Sequence, residues 1–180
     1  MASVTIVIVT FNTRIELEAC LRSLEAHPPA TPHDVIVVDN ASIDGTAEAI
    51  RAGWQAVRLI EAGRNLGFAA GNNLGIRSAS GEFVLLLNSD TLVPEGAIDA
   101  LVRGLAAEPA CAAAGPRIVG ADGRPELSFG RMIGPFAELR QKLVVRLQER
   151  GVAAATRYVD RVSRRRGYPD WVSGACLLVR

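Results

Sequence analysis

Several residue types are scarce in this 180-residue sequence, and each scarcity narrows the classes of protein that fit. Aromatic residues make up only 5% of it, so a hydrophobic core has to be built from valine, leucine, isoleucine and alanine. Histidine occurs twice, at His27 and His33, in a proline-rich turn where we expect both side chains to be solvated. The three cysteines are widely spaced, which favours free buried thiols over a disulfide framework or a metal cage.

Common phosphate-binding and metal-binding signatures are missing as well. Neither G-x-G-x-x-G after the first apolar run nor G-x-x-x-x-G-K-[ST] occurs, which argues against dinucleotide redox chemistry and P-loop phosphoryl transfer. Neither C-x-x-C nor H-E-x-x-H occurs, and a calcium loop starting at Asp39 would place Ala41 and Ile43 where oxygen ligands are needed. No apolar run approaches the length of a membrane span, and the first ten residues lack signal-peptide features.

Charge is distributed unevenly along the chain. Residues 1–130 contain nine arginines and fifteen acidic residues, whereas residues 131–180 contain ten arginines, one lysine and four acidic residues. The overall net charge of +1 indicates no nucleic-acid partner. The basic segment Arg157–Arg166 has two interpretations, a solvated surface or a site of attraction to anionic lipid headgroups or a lipid-diphosphate acceptor.

Strand-like and helix-like patterns alternate over the first 130 residues. Short β-branched apolar runs predict strands at residues 4–10, 35–38, 56–60, 82–87 and 112–119. Each of the first four strands is followed by a helical pattern. Asn12 or Thr13 could cap the first of these helices, and Pro94 could open the fourth. This alternation predicts a three-layer α/β/α fold with a mostly parallel central sheet. Two further helices are predicted at residues 136–150 and 152–162, and a strand at 171–179.

Polar clusters follow four of the predicted strands. They are Thr10-Phe11-Asn12, Asp39–Asp44, Arg64-Asn65 and Asn88-Ser89-Asp90. In open parallel sheets, ligands bind outside the carboxyl ends of the strands. We therefore expect these four clusters to meet around one crevice.

Each cluster admits a ligand-binding and a purely structural interpretation. Asp90 after a rigid strand could hold Mg²⁺ or Mn²⁺ beside a substrate diphosphate, with Asn88 and Ser89 shaping the loop, or the tripeptide could simply turn the chain. Asp39 could accept hydrogen bonds from a nucleobase or ribose, or cap a turn, while Asp44 is interpreted as a helix start.

The residues next to these carboxylates also have two interpretations each. Phe11 could pack in the core or offer its ring to a base, and Arg64 with Asn65 could meet phosphate or base. The glycines of the third loop and helix, including Gly71, would let the backbone approach a ligand or another element closely.

The motifs TIVIVTFN, VIVVDNASIDGT, NLGFAAGNNLGI and FVLLLNSD resemble, in order and spacing, those of family 2 glycosyltransferases with the GT-A fold. GPRIV…DGR…S and WVSGACLLVR resemble the bacterial rhamnosyltransferase-type branch. The resemblance implies a Rossmann-like domain, a nucleotide-diphospho-sugar donor such as dTDP-rhamnose or a UDP-sugar, a divalent metal, and inversion at the anomeric carbon. The implied acceptor is a hydroxyl of a cell-surface glycan or of a lipid-linked glycan.

The resemblance also implies roles for individual residues. Asp90 takes the place of the metal-binding acid, and Asn88 stands where the family motif has its first acid, which removes one carboxylate. Trp171, Gly174 and Ala175 fall on the acceptor side. The residues implied in binding the nucleotide-sugar are Thr10, Phe11, Asn12, Asp39, Arg64, Asn65, Gly71, Asn72, Asn88 and Ser89.

The implied organisation is a nucleotide-sugar-binding part at 1–130, a helical basic insertion at 131–170, and the start of an acceptor-side part at 171–180. The resemblance places the general base beyond Arg180, so we expect this chain to be a truncated transferase that transfers little or no sugar. A non-catalytic nucleotide-sugar-binding module and a sugar nucleotidyltransferase are the alternatives. We expect a cytoplasmic protein, and the second interpretation of Arg157–Arg166 adds peripheral contact with the inner face of the plasma membrane.

Overall fold

The computed structural model describes residues 2–130 and 134–180, without the side chains of residues 135–138, 140 and 149. Contacts divide the chain into two compact units. The first unit is Met1–Ala114 with Gly174–Arg180, and the second is Gly115–Ser173. Of the boundaries expected from the sequence, residue 131 lies outside the described residues.

Fourteen helices and strands make up the described chain. In order they are β1 (Val4–Thr10), α1 (Arg14–Ala26), β2 (His33–Asp39), α2 (Thr46–Gly53), β3 (Val57–Glu61), α3 (Phe68–Arg77), β4 (Phe83–Asn88), α4 (Ala97–Ala106), β5 (Ala113–Ala114), β6 (Phe129–Gly130), α5 (Pro135–Glu149), α6 (Ala153–Ser163), β7 (Trp171–Val172) and β8 (Cys176–Val179).

The first unit contains a six-stranded sheet in the order β3-β2-β1-β4-β8-β5. Strands β1 to β4 are parallel, with Ile6 opposite Val35 on one side and Leu85 on the other. Strand β8 lies antiparallel between β4 and β5. Since β1 is flanked by β2 and β4, the chain reverses its direction of travel across the sheet there, which creates a topological switch point between β1 and β4.

Both faces of the sheet are covered by helices of the first unit. On one face, the strand residues Ile6, Ile8 and Leu85 pack with apolar residues of α1, α2 and α4 in the larger core. On the other face, Val7 and its neighbours on β2 pack with Leu74 of α3. The three-layer α/β/α fold with a mostly parallel sheet is therefore confirmed.

Proline and glycine account for two of the places where the predicted elements differ from the structure. The strand expected at 112–119 is only Ala113–Ala114, because Pro116 has no N–H to continue a ladder. Pro94 does not open α4, which begins at Ala97 after Gly96 adopts a positive φ of 70°. Asp122 and Gly123 form a turn after the short strand, with Gly123 at φ 77°.

The strand expected at 171–179 is split into two strands that belong to different sheets. Residues Trp171–Val172 form β7 and pair with β6 in the second unit, whereas Cys176–Val179 form β8 in the large sheet. Between the two strands, the Ser173 N–H donates to the Ser128 carbonyl.

The second unit holds the two helices predicted from periodicity. Helices α5 and α6 pack against each other, and buried Ala155 and Val159 lie on α6. Among the helices that the structure describes, none is long and apolar enough to cross a membrane.

Candidate functional site

A row of three hydroxyl groups links the carboxyl ends of β1 and β4 at the switch point. The Thr10 and Thr13 hydroxyl oxygens lie 2.9 Å apart, and Thr13 Oγ1 lies 3.0 Å from Ser89 Oγ. Thr10 is buried, with 1% of its surface exposed. Two of the predicted site residues, Thr10 and Ser89, are thus brought together by Thr13, which sequence reasoning considered only as a helix cap.

The loops after β1 and β2 are locked to each other by hydrogen bonds. The Asn12 N–H donates to Ser42 Oγ at 2.9 Å, and Asn12 Oδ1 accepts from the Ile43 N–H at 2.8 Å. Asn12 takes a positive φ of 54°, and Ala41 takes 65°. Asparagine tolerates this region, whereas alanine is strained there, and such strain concentrates at functional sites.

Asp44 joins the starts of α1 and α2. Its Oδ2 accepts from the Arg14 N–H at 2.9 Å, and its Oδ1 accepts from the N–H and the hydroxyl of Thr46. Burial raises the pKa of Asp44, but the hydrogen bonds from Thr46 and Arg14 outweigh it, so the pKa lies below its usual value. The interpretation of Asp44 as a helix start agrees with these contacts.

Two buried side chains mark the end of β2, Asp39 as its last residue and Asn40 directly after it. Asp39 is 2% exposed, and both of its carboxylate oxygens accept from the Ser42 N–H, at 3.2 and 3.3 Å. Asn40, also 2% exposed, accepts from the Leu66 N–H and donates to the Gly67 carbonyl, each at 3.4 Å. Asn40 ties the third loop to β2, a role missed from the sequence although an amide directly after a buried strand could have signalled it. The base-reading role of Asp39 stays a prediction.

Phe11 and Arg64 are the predicted site residues of the first and third loops that are left available to a ligand. Phe11 is 45% exposed, and Arg64 is exposed with no hydrogen bond or ion pair to the described residues. Asn65, by contrast, uses its Oδ1 to accept from the Gly67 N–H at 2.8 Å, which shapes the turn.

Gly71 and Asn72 lie on α3 and make contacts inside the fold. A Cβ on Gly71 would lie 2.8 Å from Val9 Cγ1, so the missing side chain lets α3 approach the sheet. Asn72 is 5% exposed and donates to the Phe68 carbonyl at 3.0 Å. Their observed contacts are those of packing, and their binding role stays a prediction.

The end of β4 carries two oxygen-bearing side chains without partners. Asn88 Oδ1 is buried and has no hydrogen bond among the described residues. Asp90 is exposed and likewise has no hydrogen bond or ion pair there. Both are hard oxygen donors of the kind that Mg²⁺ and Mn²⁺ prefer.

The metal hypothesis can be tested against this donor set. The described residues contain no group of three or more His, Cys, Asp or Glu side chains able to hold a metal ion. Mg²⁺ is commonly bound by one or two carboxylates together with substrate phosphates rather than by an all-protein cage. Asp90, with Asn88 beside it, therefore fits a cation that takes most of its ligands from a bound diphosphate.

The residues expected on the acceptor side are divided between the two units. In the first unit, the Ala175 carbonyl accepts from the Asn88 N–H at 2.9 Å, and a Cβ on Gly174 would lie 3.6 Å from the Phe68 ring. In the second unit, Trp171 covers Gly130, where an added Cβ would lie 2.7 Å from the indole ring.

The basic segment is partly neutralised within the second unit. Asp160 accepts from Arg117 at 2.6 Å and from Arg164 at 2.8 Å. The Arg164 hydrogen bond is the largest cause of the lowered pKa of Asp160, and the same bond raises the pKa of Arg164. Arg157, Arg161 and Arg165 are exposed and have no ion pair or side-chain hydrogen bond in the described part of the chain.

Two mycobacterial proteins are similar to this chain over nearly its whole length. Each is an N-acetylglucosaminyl-diphospho-decaprenol L-rhamnosyltransferase, from Mycobacterium tuberculosis strains CDC 1551 and H37Rv, and is 32% identical over 197 residues. The match covers 97% of this chain and 60% of each relative, so the chain spans about three fifths of the length of these relatives.

Solved structures share the fold. A mannosyltransferase, PcManGT from Pyrobaculum calidifontis, in complex with GDP-Man and Mn²⁺, is 31% identical with a TM-score of 0.59, over 65% of this chain and 35% of that one. S. aureus TarS 1–349 in complex with UDP-GlcNAc is 23% identical with a TM-score of 0.60, over 71% of this chain and 38% of that one. The second likeness supports the fold alone.

The family model described as "Glycosyl transferase family 2" matches residues 5–165, which include both loops of the switch point and most of the second unit. The resemblance inferred from the motifs is thereby confirmed. This chain belongs to glycosyltransferase family 2.

Proposed function

We propose that this chain is the donor-binding part of an inverting glycosyltransferase. The donor is a nucleotide-diphospho-sugar, dTDP-rhamnose or a UDP-sugar, and the acceptor is a hydroxyl of a cell-surface or lipid-linked glycan. The observation that carries the proposal lies in the loops after β1, β3 and β4. Hydrogen bonds join the first of these loops to its neighbours, while Phe11 stays exposed and neither Arg64 nor Asp90 has a hydrogen bond or ion pair among the described residues.

Two comparisons support this choice of substrates. The mycobacterial relatives are named for transfer of L-rhamnose to a diphospho-decaprenol-linked sugar. The 31% identical mannosyltransferase was solved with a nucleotide-sugar and Mn²⁺. The chain covers 60% of each mycobacterial relative and 35% of the mannosyltransferase, so the activity and the acceptor are proposals.

The available side chains supply complementary chemistry for such a donor. The ring of Phe11 offers a stacking surface to a base, a contact worth about 1–3 kcal/mol. The guanidinium of Arg64 suits a phosphate or a base edge. Asp90 would hold the divalent cation, which when bound offsets negative charge on the departing nucleoside diphosphate.

Calorimetry on the 180-residue chain tests the proposal. We expect dTDP- or UDP-sugar to bind only with Mn²⁺ or Mg²⁺ present. In Asp90→Asn, adding the metal should no longer raise the affinity for the sugar nucleotide. Arg64→Ala and Phe11→Ala are each expected to weaken binding about tenfold or more, because each removes about 1.5 kcal/mol or more of interaction. The assay does not depend on where the general base lies.

Arg77→Ala provides the matched control, because Arg77 is an exposed arginine in the last turn of α3 and is not a predicted site residue. Its affinity should equal that of the wild type. Absence of binding for all donors tested with metal, or equal affinities for Arg64→Ala, Phe11→Ala and the control, would contradict the proposal.

A further inference from the structure

Helix α5 presents one continuous face to solvent. Leu139 and Leu143 lie one turn apart and are 67% and 55% exposed. At about 100° per residue, Lys142, Arg146 and Arg150 fall in the same sector of the helix as these leucines, within about 100°. All three cationic residues are exposed, and the sequence places no acidic residue in that sector. We call these five residues the α5 face.

The opposite side of α5 fixes how the helix is oriented within the second unit. Val144 is half-buried there, Leu147 is half-buried on the flank, and Gln148 Nε2 donates to the Pro125 carbonyl at 2.7 Å. The helix also packs on α6. Packing within the unit therefore uses the other side of α5, and the two leucines of the α5 face contribute little to it.

Two of the three cations on this face lack a counter-charge within the described residues. Arg146 and Arg150 have no ion-pair partner among the described residues, whereas exposed arginines of the first unit such as Arg14 and Arg22 are paired with Glu18. The second unit as a whole carries twelve arginine and lysine residues against six acidic ones. Anionic groups are thus the complement that this surface lacks.

We propose that the α5 face is a docking surface for a lipid bilayer that contains anionic lipids. Exposed leucines next to cations on one face of a helix are typical of interfacial membrane binding, in which the apolar groups enter the acyl boundary and the cations meet the headgroups. An apolar protein partner would satisfy the leucines and leave the arginines desolvated, whereas an anionic bilayer satisfies both. None of its five residues belongs to Arg157–Arg166, and the proposal does not rest on the proposed sugar transfer.

Co-sedimentation of the 180-residue chain with phosphatidylcholine vesicles, with and without 30% phosphatidylglycerol, tests the proposal. We expect binding to the anionic vesicles that weakens as salt is raised and is much weaker to the neutral ones. Arg146→Ser/Arg150→Ser should weaken binding roughly 30-fold, since each cation near an anionic bilayer raises the affinity by a factor of about five to six. Leu139→Ser/Leu143→Ser should weaken it roughly tenfold or more.

Two control variants separate this face from exposure and charge in general. Ile15→Ser removes an isoleucine that is 77% exposed on α1, and Arg77→Ser/Arg103→Ser removes two exposed arginines from the first unit. Both should bind vesicles like the wild type, and circular dichroism confirms that all variants are folded. Unchanged vesicle binding in both α5 variants would overturn the proposal. So would a shift from dimer to monomer in light scattering without any change in vesicle binding, because the face would then join two copies.

Discussion

The hydroxyl group of Thr13 illustrates how single residues build the candidate site. Thr13 is the N-cap residue of α1, a position where a side chain ordinarily accepts a hydrogen bond from the helix, yet no such bond forms. Its oxygen instead lies within hydrogen-bond distance of Thr10 and Ser89. Thr13 therefore joins the ends of β1 and β4, and it reaches a residue, Ser89, that lies 76 positions away in sequence.

Replacing Thr13 should expose this role. We expect Thr13→Val to destabilise the chain by about 1–2 kcal/mol, because the variant keeps the shape and leaves the partly buried hydroxyls of Thr10 and Ser89 with one partner fewer. Urea denaturation measures the change. Thr13→Ser, which retains the hydroxyl, is the control and should lose less than half as much. Equal losses in the two variants would show that the methyl group, rather than the hydroxyl, matters.

Candidate site residues could be chosen from the sequence where position after a strand was enough, but not where a side chain bonds to a distant loop. Asp90, Phe11 and Arg64 could be selected from the sequence because a strand end followed by a polar or aromatic residue predicts a group at the crevice. The contacts of Asn12 and Asn40 could not be predicted from the sequence, because each side chain bonds to backbone groups of a loop about 26 or more residues away. Sequence patterns register which residues are polar, but they do not show which distant N–H group each one meets.

At the scale of elements, helix α3 lies against the sheet through a pair of glycines one turn apart. A Cβ on Gly71 would lie 2.8 Å from Val9 Cγ1, and a Cβ on Gly75 would lie 2.3 Å from Val7 Cγ1. These distances are shorter than real Cβ contacts, so any side chain at Gly75 has to push α3 or β1 away. The close approach keeps the start of α3, with exposed Phe68, near the carboxyl ends of β1 and β2.

Gly75→Ala should therefore destabilise the fold although alanine favours helices. We expect a loss of about 1–3 kcal/mol from overpacking against Val7. Gly104→Ala in α4 is the matched control, because a Cβ there meets nothing within 4 Å, and it should stabilise by up to about 1 kcal/mol. Urea denaturation of both variants decides the matter, and a gain of stability in Gly75→Ala would refute the packing argument.

The ends of a helix or strand could be predicted where its sequence pattern continued without a proline or glycine. Strand β1 was placed at its observed residues, since Val4–Thr10 is a continuous β-branched run. Between positions 112 and 130, the signals conflicted: Ala113–Ala114 pair with β8, but Gly115 and Pro116 then stop the strand. The separation of β7 from β8 was not predictable, because one apolar stretch serves two sheets.

At the scale of the whole molecule, buried or bridging carboxylates tie segments together and make stability depend on pH. Asp99 on α4 accepts from the Ala30 and Thr31 N–H groups, each at 2.9 Å, and from the Thr31 hydroxyl at 2.6 Å. The Thr31 hydroxyl, followed by the two N–H groups, holds the pKa of Asp99 below its usual value. A lowered pKa in the folded state means that protonation favours unfolding.

The sign of the pH dependence follows from this direction. The contribution of Asp99 is complete above the unfolded pKa of about 3.9 and is lost as pH falls through the lower folded pKa. Asp99→Asn should be less stable than the wild type by about 1–2 kcal/mol at pH 7, and this difference should shrink below about pH 4. Urea denaturation between pH 7 and pH 3 measures it. Glu95→Gln is the control, because Glu95 is exposed before α4 and has no partner among the described residues. Its free energy of unfolding should stay within about 0.5 kcal/mol of the wild type at every pH. A loss of stability in Asp99→Asn that does not change with pH would contradict the role given to Asp99.

The place of β8 in the sheet affects how the protein is made. Leu86 pairs with Leu177, so β4 completes its hydrogen bonding only after β8 (Cys176–Val179) has left the ribosome. During that interval, the apolar strand Phe83–Asn88 has an open edge, which is a template for pairing with other nascent chains. The yield of folded protein in cells is therefore expected to depend on how quickly translation passes through that interval.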